Sequence, residues 1–374
     1  MKRVLLIHSI LWSHYKAAVF SELSNILAKE DIDFHVIQIA TNSVTRLNIG
    51  NVDHKIHDYS YEVLFDDPLE NISWVKKYRL LSHSINRFDP DVLILPGYGD
   101  ISSMLINLKY SFKRIKLIQT VDTTPEGITK RWFKELIKKF LLKKVDVIYC
   151  YGQLHKEYLL SLGVKESKIV IRCQATFNDK IREKYLSNES MEKLSFPTKN
   201  NFLFVGRLLW YKNLSFLIEV FNELNTDWGL IIVGDGILEK ELIKIKEDLN
   251  LENVYFEGPK TSGEVIDYYR YCDAFILPST VEIWGLVVNE AMLCELPLLL
   301  SSHCGCSKDL LRENENGYLF DPHKANEMVN CFNKIILKSD EERNLMGKLS
   351  YEIIKNFTPR IAAEQMFEGI KKVL

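Results

Sequence analysis

FLFVGRLLWYKNLSFLIEVFNEL, residues 202–224, contains a strand, a turn and a helix in succession. An apolar run at 202–205 stops at Gly206. After it Leu214, Leu217, Ile218, Phe221 and Leu224 recur at the spacing of one face of an amphipathic helix. Between the two lie Arg207 and Lys212. Two cations therefore stand at the carboxyl end of a buried strand, just ahead of a helix.

The same unit recurs in both directions. After it come GLIIVGDG (229–236), NVYFEG (253–258), DAFILPS (273–279) and LPLLLSS (296–302). Before it come RVLLIH (3–8), FHVIQIA (34–40), DVLILPG (91–97), KLIQTV (116–121), DVIYCYG (146–152) and KIVIRC (168–173). Short apolar runs alternating with amphipathic stretches predict parallel strands joined by crossover helices, an α/β chain. At 374 residues the chain exceeds what one core organises. The polar stretch EKYLSNESMEKLSFPTKN (183–200), with Pro197 and no apolar period, is the expected linker. This predicts Rossmann-like domains over 1–185 and 200–355, facing each other across a cleft, and a helix in 356–374 that packs back on the first. Ligands in such sheets bind beyond the carboxyl ends of the strands, so the residues after each run carry the function.

A hydrophobic content of 47% against 26% charged residues excludes a disordered chain. The net charge of -2 hides an asymmetry, because residues 1–180 hold 26 Lys and Arg against 20 Asp and Glu. Such a basic half suits an anionic partner or membrane, although a solvated surface produces it too. No nucleic-acid partner is expected. Seven cysteines without a CxxC pair argue against a disulfide framework or zinc ribbon and for a reducing, cytoplasmic setting. MKRVLLIHSILW begins like a signal, but His8, Ser9, Trp12 and His14 interrupt it and it reads as a first strand. No apolar run approaches the length that spans a bilayer.

STVEIWGLVVNEAMLCELP (279–297) carries Glu282 and Glu290, with Trp284, Gly285 and Leu286 between them where a helix begins. Backbone N–H groups at a helix start beside a glycine receive phosphate or sugar oxygens. One carboxylate is then free to meet a sugar while the other accepts from ribose hydroxyls. Arg207 engages diphosphate oxygens in a fork and Lys212 adds a mobile point charge. Taken singly, each of these residues reads equally as a solvated or helix-start charge; their conjunction points to a site.

In order, VGRL, KN, IIVGDG, V-x-F-x-G, DAFILPS, E-x-W-G-L-x-x-x-E-A-M and NGYLFDP resemble glycosyltransferase family 4, the retaining GT-B enzymes, over most of 201–322. The resemblance implies that Arg207 and Lys212, with Gly206, hold the donor diphosphate, that Glu282 meets the donor sugar and that Glu290 binds the ribose. It implies main-chain contacts from Trp284, Gly285 and Leu286, and a base-contacting loop at Gly258, Pro259 and Lys260. The family needs no metal, so no cofactor or metal site is expected. Asp31-Ile32-Asp33 and Asp89-Pro90-Asp91 precede strands and read as helix-to-strand loops. Gly234-Asp235-Gly236 lacks the third glycine of a dinucleotide fingerprint, Cys304-Gly305-Cys306 reads as a tight turn, and no H-x-x-x-H pair is present.

The first half departs from the family pattern. Where a glycine-rich loop is usual it has HSILWSHYKAAVFSEL (8–23), which places Ser13 and His14 on the acceptor side, and Asp122 occupies the place of a histidine. Asp122 is expected to orient the acceptor or act as acid or base, or else to cap the next turn. Asp122, Thr123, Thr124, Gly152, His155, Tyr158 and Leu162-Gly163 also resemble a subset with polysaccharide-type substrates. The helix expected at 130–144 puts Trp132, Phe133, Leu136, Ile137, Phe140 and Leu141 on one side with Lys134, Lys138, Lys139, Lys143 and Lys144 flanking. It either lies on an anionic leaflet or packs on the sheet with its lysines solvated.

The expected activity is transfer of a sugar, with retention, from a nucleoside-diphosphate sugar to a hydroxyl of a saccharide or lipid-linked saccharide. The setting expected is bacterial-type surface polysaccharide or glycolipid synthesis, in the cytoplasm and peripherally at the inner face of the membrane. The alternatives are a nucleotide-sugar epimerase or hydrolase of the same shape, or a protein that binds the donor without turnover.

Overall fold

The computed structural model describes residues 1–44, 53–124, 132–187 and 194–374. Two compact units emerge, 1–175 with 358–374, and 176–357. Among the described residues no helix is long and apolar enough to cross a membrane.

The first unit is a parallel sheet of β1 (Lys2–Ile10), β2 (Ile32–Asn42), β3 (Tyr61–Pro68), β4 (Val92–Leu95), β5 (Lys116–Thr120), β6 (Val147–Cys150) and β7 (Ile169–Ile171). Their order is β3-β2-β1-β4-β5-β6-β7. Register pairs Val4 with both Phe34 and Val92. Leu5, Ile37, Leu93, Leu117 and Ile148 lie in one buried cluster. The six expected runs all become strands. β3 is added at the edge, where its half-exposed residues leave no continuous buried run to read. Helix Pro359–Lys371 belongs to this unit: Tyr149 donates its hydroxyl to the Met366 carbonyl, and the Cys173 N–H donates to Gln365 Oε1 at 2.7 Å. Gly369 faces the ring of Tyr149 so closely that a Cβ would stand 2.3 Å from it.

The second unit repeats the plan with β8 (Asn201–Val205), β9 (Gly229–Val233), β10 (Val254–Gly258), β11 (Ala274–Leu277), β12 (Leu298–Ser301) and β13 (Gly317–Phe320). Here the order is β10-β9-β8-β11-β12-β13. The units part at 175/176, ahead of the polar stretch 183–200. Helix Asn178–Leu186 is fastened to the second unit because Arg182 pairs with Glu295 at 2.6 Å and Arg270 donates to the carbonyls of Lys184 and Tyr185. Each sheet reverses its strand order once, between β1 and β4 and between β8 and β11. At such a point the crossovers leave in opposite directions and open a crevice.

Candidate functional site

In the second unit the loops after β8 and β11 meet at the point of reversal. Gly206 (φ +157°) turns out of β8 and donates its N–H to the Val233 carbonyl at 3.0 Å. The loop after β9 comes so close that a Cβ on Gly234 would lie 2.0 Å from the Gly206 carbonyl oxygen, and one on Gly236 would lie 2.3 Å from that of Leu208. The two glycines of the GDG motif thus serve backbone approach between neighbouring loops. Arg207 is exposed, and its guanidinium has no partner among the described residues. Lys212, in the turn Trp210–Lys212, forms an ion pair with Glu282 Oε2, and the two side chains are only 11% and 16% exposed. Ser279 Oγ donates to the same oxygen at 3.4 Å. Thr280 N–H donates to the Tyr211 carbonyl at 2.9 Å, so the loops are tied by backbone as well as charge.

Gly285 (φ +93°) opens helix Leu286–Leu293, whose first turn has no side-chain cap. A Cβ there would press on Leu277 at 3.0 Å. The neighbouring Trp284 is buried, its Nε1 donating to Asn289 Oδ1 at 2.9 Å, which leaves its main chain for any ligand. Glu290, one turn into the helix, accepts from the Tyr269 hydroxyl at 3.1 Å. Burial pushes its carboxyl up to about 7 despite that hydrogen bond, because removing the charge from water costs more than one donor returns. Glu290, Tyr269, Ile266 and Phe177 line a cavity of about 210 Å³. The two glutamates therefore have different partners, Glu282 a cation and Glu290 a phenol. Gly258 (φ +67°) ends β10, Pro259 is exposed, and Lys260 Nζ lies 5.6 Å from the centre of the Tyr268 ring.

In the first unit Ser13 is buried at the start of helix His14–Lys29, where its carbonyl accepts from Lys16 N–H at 2.8 Å. His14 stacks on Trp12 at 5.0 Å and its Nε2 accepts from the Asp53 N–H at 3.3 Å. Asp122 follows β5 over Gly97, where a Cβ would stand 3.3 Å from its Oδ1. It lines a cavity of about 90 Å³ with His8, Lys16, Tyr151 and Arg172. Burial lowers His8 to about 3, so this ring is neutral. Lys16 and Arg172 were not read as site residues from sequence, nor was Tyr269. Residues 125–131 and the side chains of Trp132, Phe133 and Lys134 lie outside the described residues.

The expected apolar stripe of helix Trp132–Lys144 is divided: Leu141 is buried, whereas Leu136, Ile137 and Phe140 are exposed to 55%, 47% and 50%. Tyr158 accepts from Lys138 Nζ at 3.0 Å, and His155 is buried beside the Tyr151 ring. Asp89 pairs with Arg3 at 2.7 Å, and Asp91 accepts from the Arg3 backbone at 2.9 Å. Cys304 and Cys306 are buried free thiols pushed upward by desolvation.

The model of the family described as Glycosyl transferases group 1 matches residues 187–352, and that of Glycosyltransferase Family 4 matches 17–172. An uncharacterized glycosyltransferase of Haemophilus influenzae is 33% identical over 84% of this chain and 84% of its own. The N-acetylgalactosamine-N,N'-diacetylbacillosaminyl-diphospho-undecaprenol 4-alpha-N-acetylgalactosaminyltransferase of Campylobacter jejuni is 28% identical over 71% of this chain and 72% of its own. Among solved structures, the lipopolysaccharide outer core galactosyltransferase WaaB superposes with a TM-score of 0.74 at 18% identity, covering both chains entirely. Anabaena HepE in complex with UDP and glucose does so with a TM-score of 0.72 at 16% identity, over 99% of this chain and 100% of its own.

Proposed function

This chain belongs to the family 4 glycosyltransferases of the GT-B fold, and from that premise we propose that it moves a sugar, with retention at the anomeric carbon, from a nucleoside-diphosphate sugar to a hydroxyl of a saccharide or lipid-linked saccharide. Support comes chiefly from the exposed Arg207, unpartnered among the described residues, beside the largely buried Lys212–Glu282 pair where the loops after β8 and β11 meet. Arg207 and Lys212 hold the diphosphate, and the first-turn N–H groups after Gly285 complete its cradle. Glu282 accepts from the donor sugar's hydroxyls while keeping Lys212 aimed. Glu290 accepts from the ribose, and the base sits near Gly258, Pro259 and Lys260.

As the bond from the anomeric carbon to the diphosphate oxygen breaks, its electron pair leaves with the diphosphate and positive charge grows on the sugar. The two cations stabilise that departing charge, which is the electrostatic task a metal performs elsewhere. The acceptor oxygen forms the new bond on the same face and passes its proton to the departing diphosphate oxygen, and Asp122 orients the acceptor on the first unit. No metal is required in this scheme. The diphospho-undecaprenol and lipopolysaccharide named for two of the relatives support surface polysaccharide or glycolipid synthesis as the setting, and the proposed location is the cytoplasmic side of a membrane. The exposed face of helix Trp132–Lys144 supplies the peripheral contact.

Arg207→Ala or Lys212→Ala is expected to cost about 3 kcal/mol of transition-state stabilisation, roughly a hundredfold in kcat/KM. Turnover of UDP-, GDP- and ADP-sugars by these variants at the unaltered protein's rate would overturn the assignment. The anomeric configuration of the product, read by NMR, decides retention, and activity that survives a chelator decides metal independence.

A further inference from the structure

The cavity on the first unit contains an electrostatic arrangement that no step above requires. Lys16 and Arg172 are only 5% and 3% exposed, yet both lean on one ring, with Lys16 Nζ 4.4 Å and the Arg172 guanidinium carbon 4.7 Å from the centre of Tyr151. Lys16 donates to Tyr151 Oη at 3.0 Å and Gln174 Oε1 at 2.9 Å; Arg172 Nη2 donates to the same Tyr151 oxygen at 3.2 Å. These acceptors are neutral. Arg172 Nε and Nη1 are buried and have no hydrogen-bond partner among the described residues. The carboxylate lining the cavity is Asp122, and His8 is neutral, so two cations face one anion.

Two basic groups held together away from water are costly to keep charged unless something compensates them. Desolvation first, and Arg172 second, draw Lys16 well below the ordinary lysine range, with Asp122 opposing. The volume of about 90 Å³ equals about three waters, room for one small charged group.

We propose that this cavity binds an oxyanion, a phosphate or carboxylate carried by the acceptor, between Lys16 and Arg172. An oxyanion between Lys16 and Arg172 favours the charged form of both, and Asp122, which lines the same cavity, is left to the uncharged part of the acceptor. Assigning the oxyanion to an acceptor rests on the glycosyl-transfer reading; the binding itself does not.

The test uses the full chain. Crystals soaked in arsenate are expected to show an arsenic anomalous peak within hydrogen-bonding distance of Lys16 and Arg172. A peak confined to Arg207 and Lys212, or water alone in the cavity, overturns the proposal without recourse to any variant. In solution, Arg172→Met is expected to weaken inorganic phosphate binding at this site about tenfold or more, as loss of a charged donor pair does, while Arg207→Met leaves it unchanged. The reverse pattern removes the oxyanion site and leaves the donor reading standing. Intact Arg172-dependent binding with no loss of turnover in Arg207→Met removes the donor reading instead. Displacement of arsenate by glucose 6-phosphate marks a phosphorylated acceptor and displacement by glucuronate an acidic sugar. Displacement by neither, or equally by glucose, refutes the acceptor assignment.

Discussion

Glu290 carries a pH signature. Its carboxyl titrates near 7 in the folded chain and near 4.5 when exposed. Below the lower value both states are protonated and the group costs nothing. Between the two, the unfolded chain gives up a proton that the folded chain keeps, so stability falls as pH rises, by about 3 kcal/mol in all, and levels off above 7. Glu290→Gln retains a partner for Tyr269 and removes this slope. The melting temperature of Glu290→Gln relative to the unaltered protein is therefore expected to climb from pH 5 to pH 7.5; a gap independent of pH would show that the site titrates normally. If the ionised form grips the ribose, the donor KM of the unaltered protein rises below pH 7 and that of the variant stays flat. The residues proposed to hold the donor were legible as a group because two contiguous loops supply Arg207, Lys212, Glu282 and Gly285. Tyr269 lies 21 positions from Glu290 and reads as a core face of its own helix. Lys16 finds Tyr151 and Gln174 only through folding, since 135 and 158 positions separate it from its two acceptors, and Arg172 reaches the same Tyr151 oxygen from 21 positions away.

Among elements, helix Trp132–Lys144 shows what periodicity leaves undecided. Its spacing predicts a single apolar side, and the fold divides that side between the sheet and solvent. Leu141 and Leu142 go inward, whereas Leu136, Ile137 and Phe140 stay out with Phe112, which is 71% exposed. Lys144 Nζ lies 4.9 Å from the Phe112 ring and 5.6 Å from that of Phe140, so apolar surface and positive charge are interleaved. Each lysine adds about 1 kcal/mol near an anionic leaflet. The protein is expected to float with vesicles containing anionic lipid. The triple change Leu136→Ser, Ile137→Ser, Phe140→Ser should abolish flotation with far-UV dichroism intact; flotation unchanged in this variant would dismiss the helix as the contact. Strand detection had the opposite difficulty. Strands buried on both faces announced themselves as apolar runs, while β3, half-exposed at the edge, and β13, at the other edge with Leu319 exposed, did not.

For the whole molecule, the decisive fact is that the first unit is assembled from both ends of the described chain. Ala362, Ala363, Met366 and Ile370 are buried, and helix Pro359–Lys371 meets helix His14–Lys29 and strands β6 and β7. Burying Met366 and Ile370 alone contributes about 3 to 6 kcal/mol, a large part of what holds a domain together. Ending the chain at 357 is expected to abolish amide protection in β6 and β7 while residues 176–357 keep theirs, as hydrogen exchange would record. Equal protection in both units would mean that the terminal helix is dispensable.

Vectorial synthesis adds a delay to that arrangement. The ribosome delivers 1–175, then all of 176–357, and only afterwards the segment bearing Met366 and Gly369. At about 5–20 residues per second, the nascent first unit waits some 10 to 40 s with the Tyr149 side uncovered. Through that interval it presents an apolar face to chaperones and to neighbouring nascent chains, and the second unit has time to fold before the first is complete.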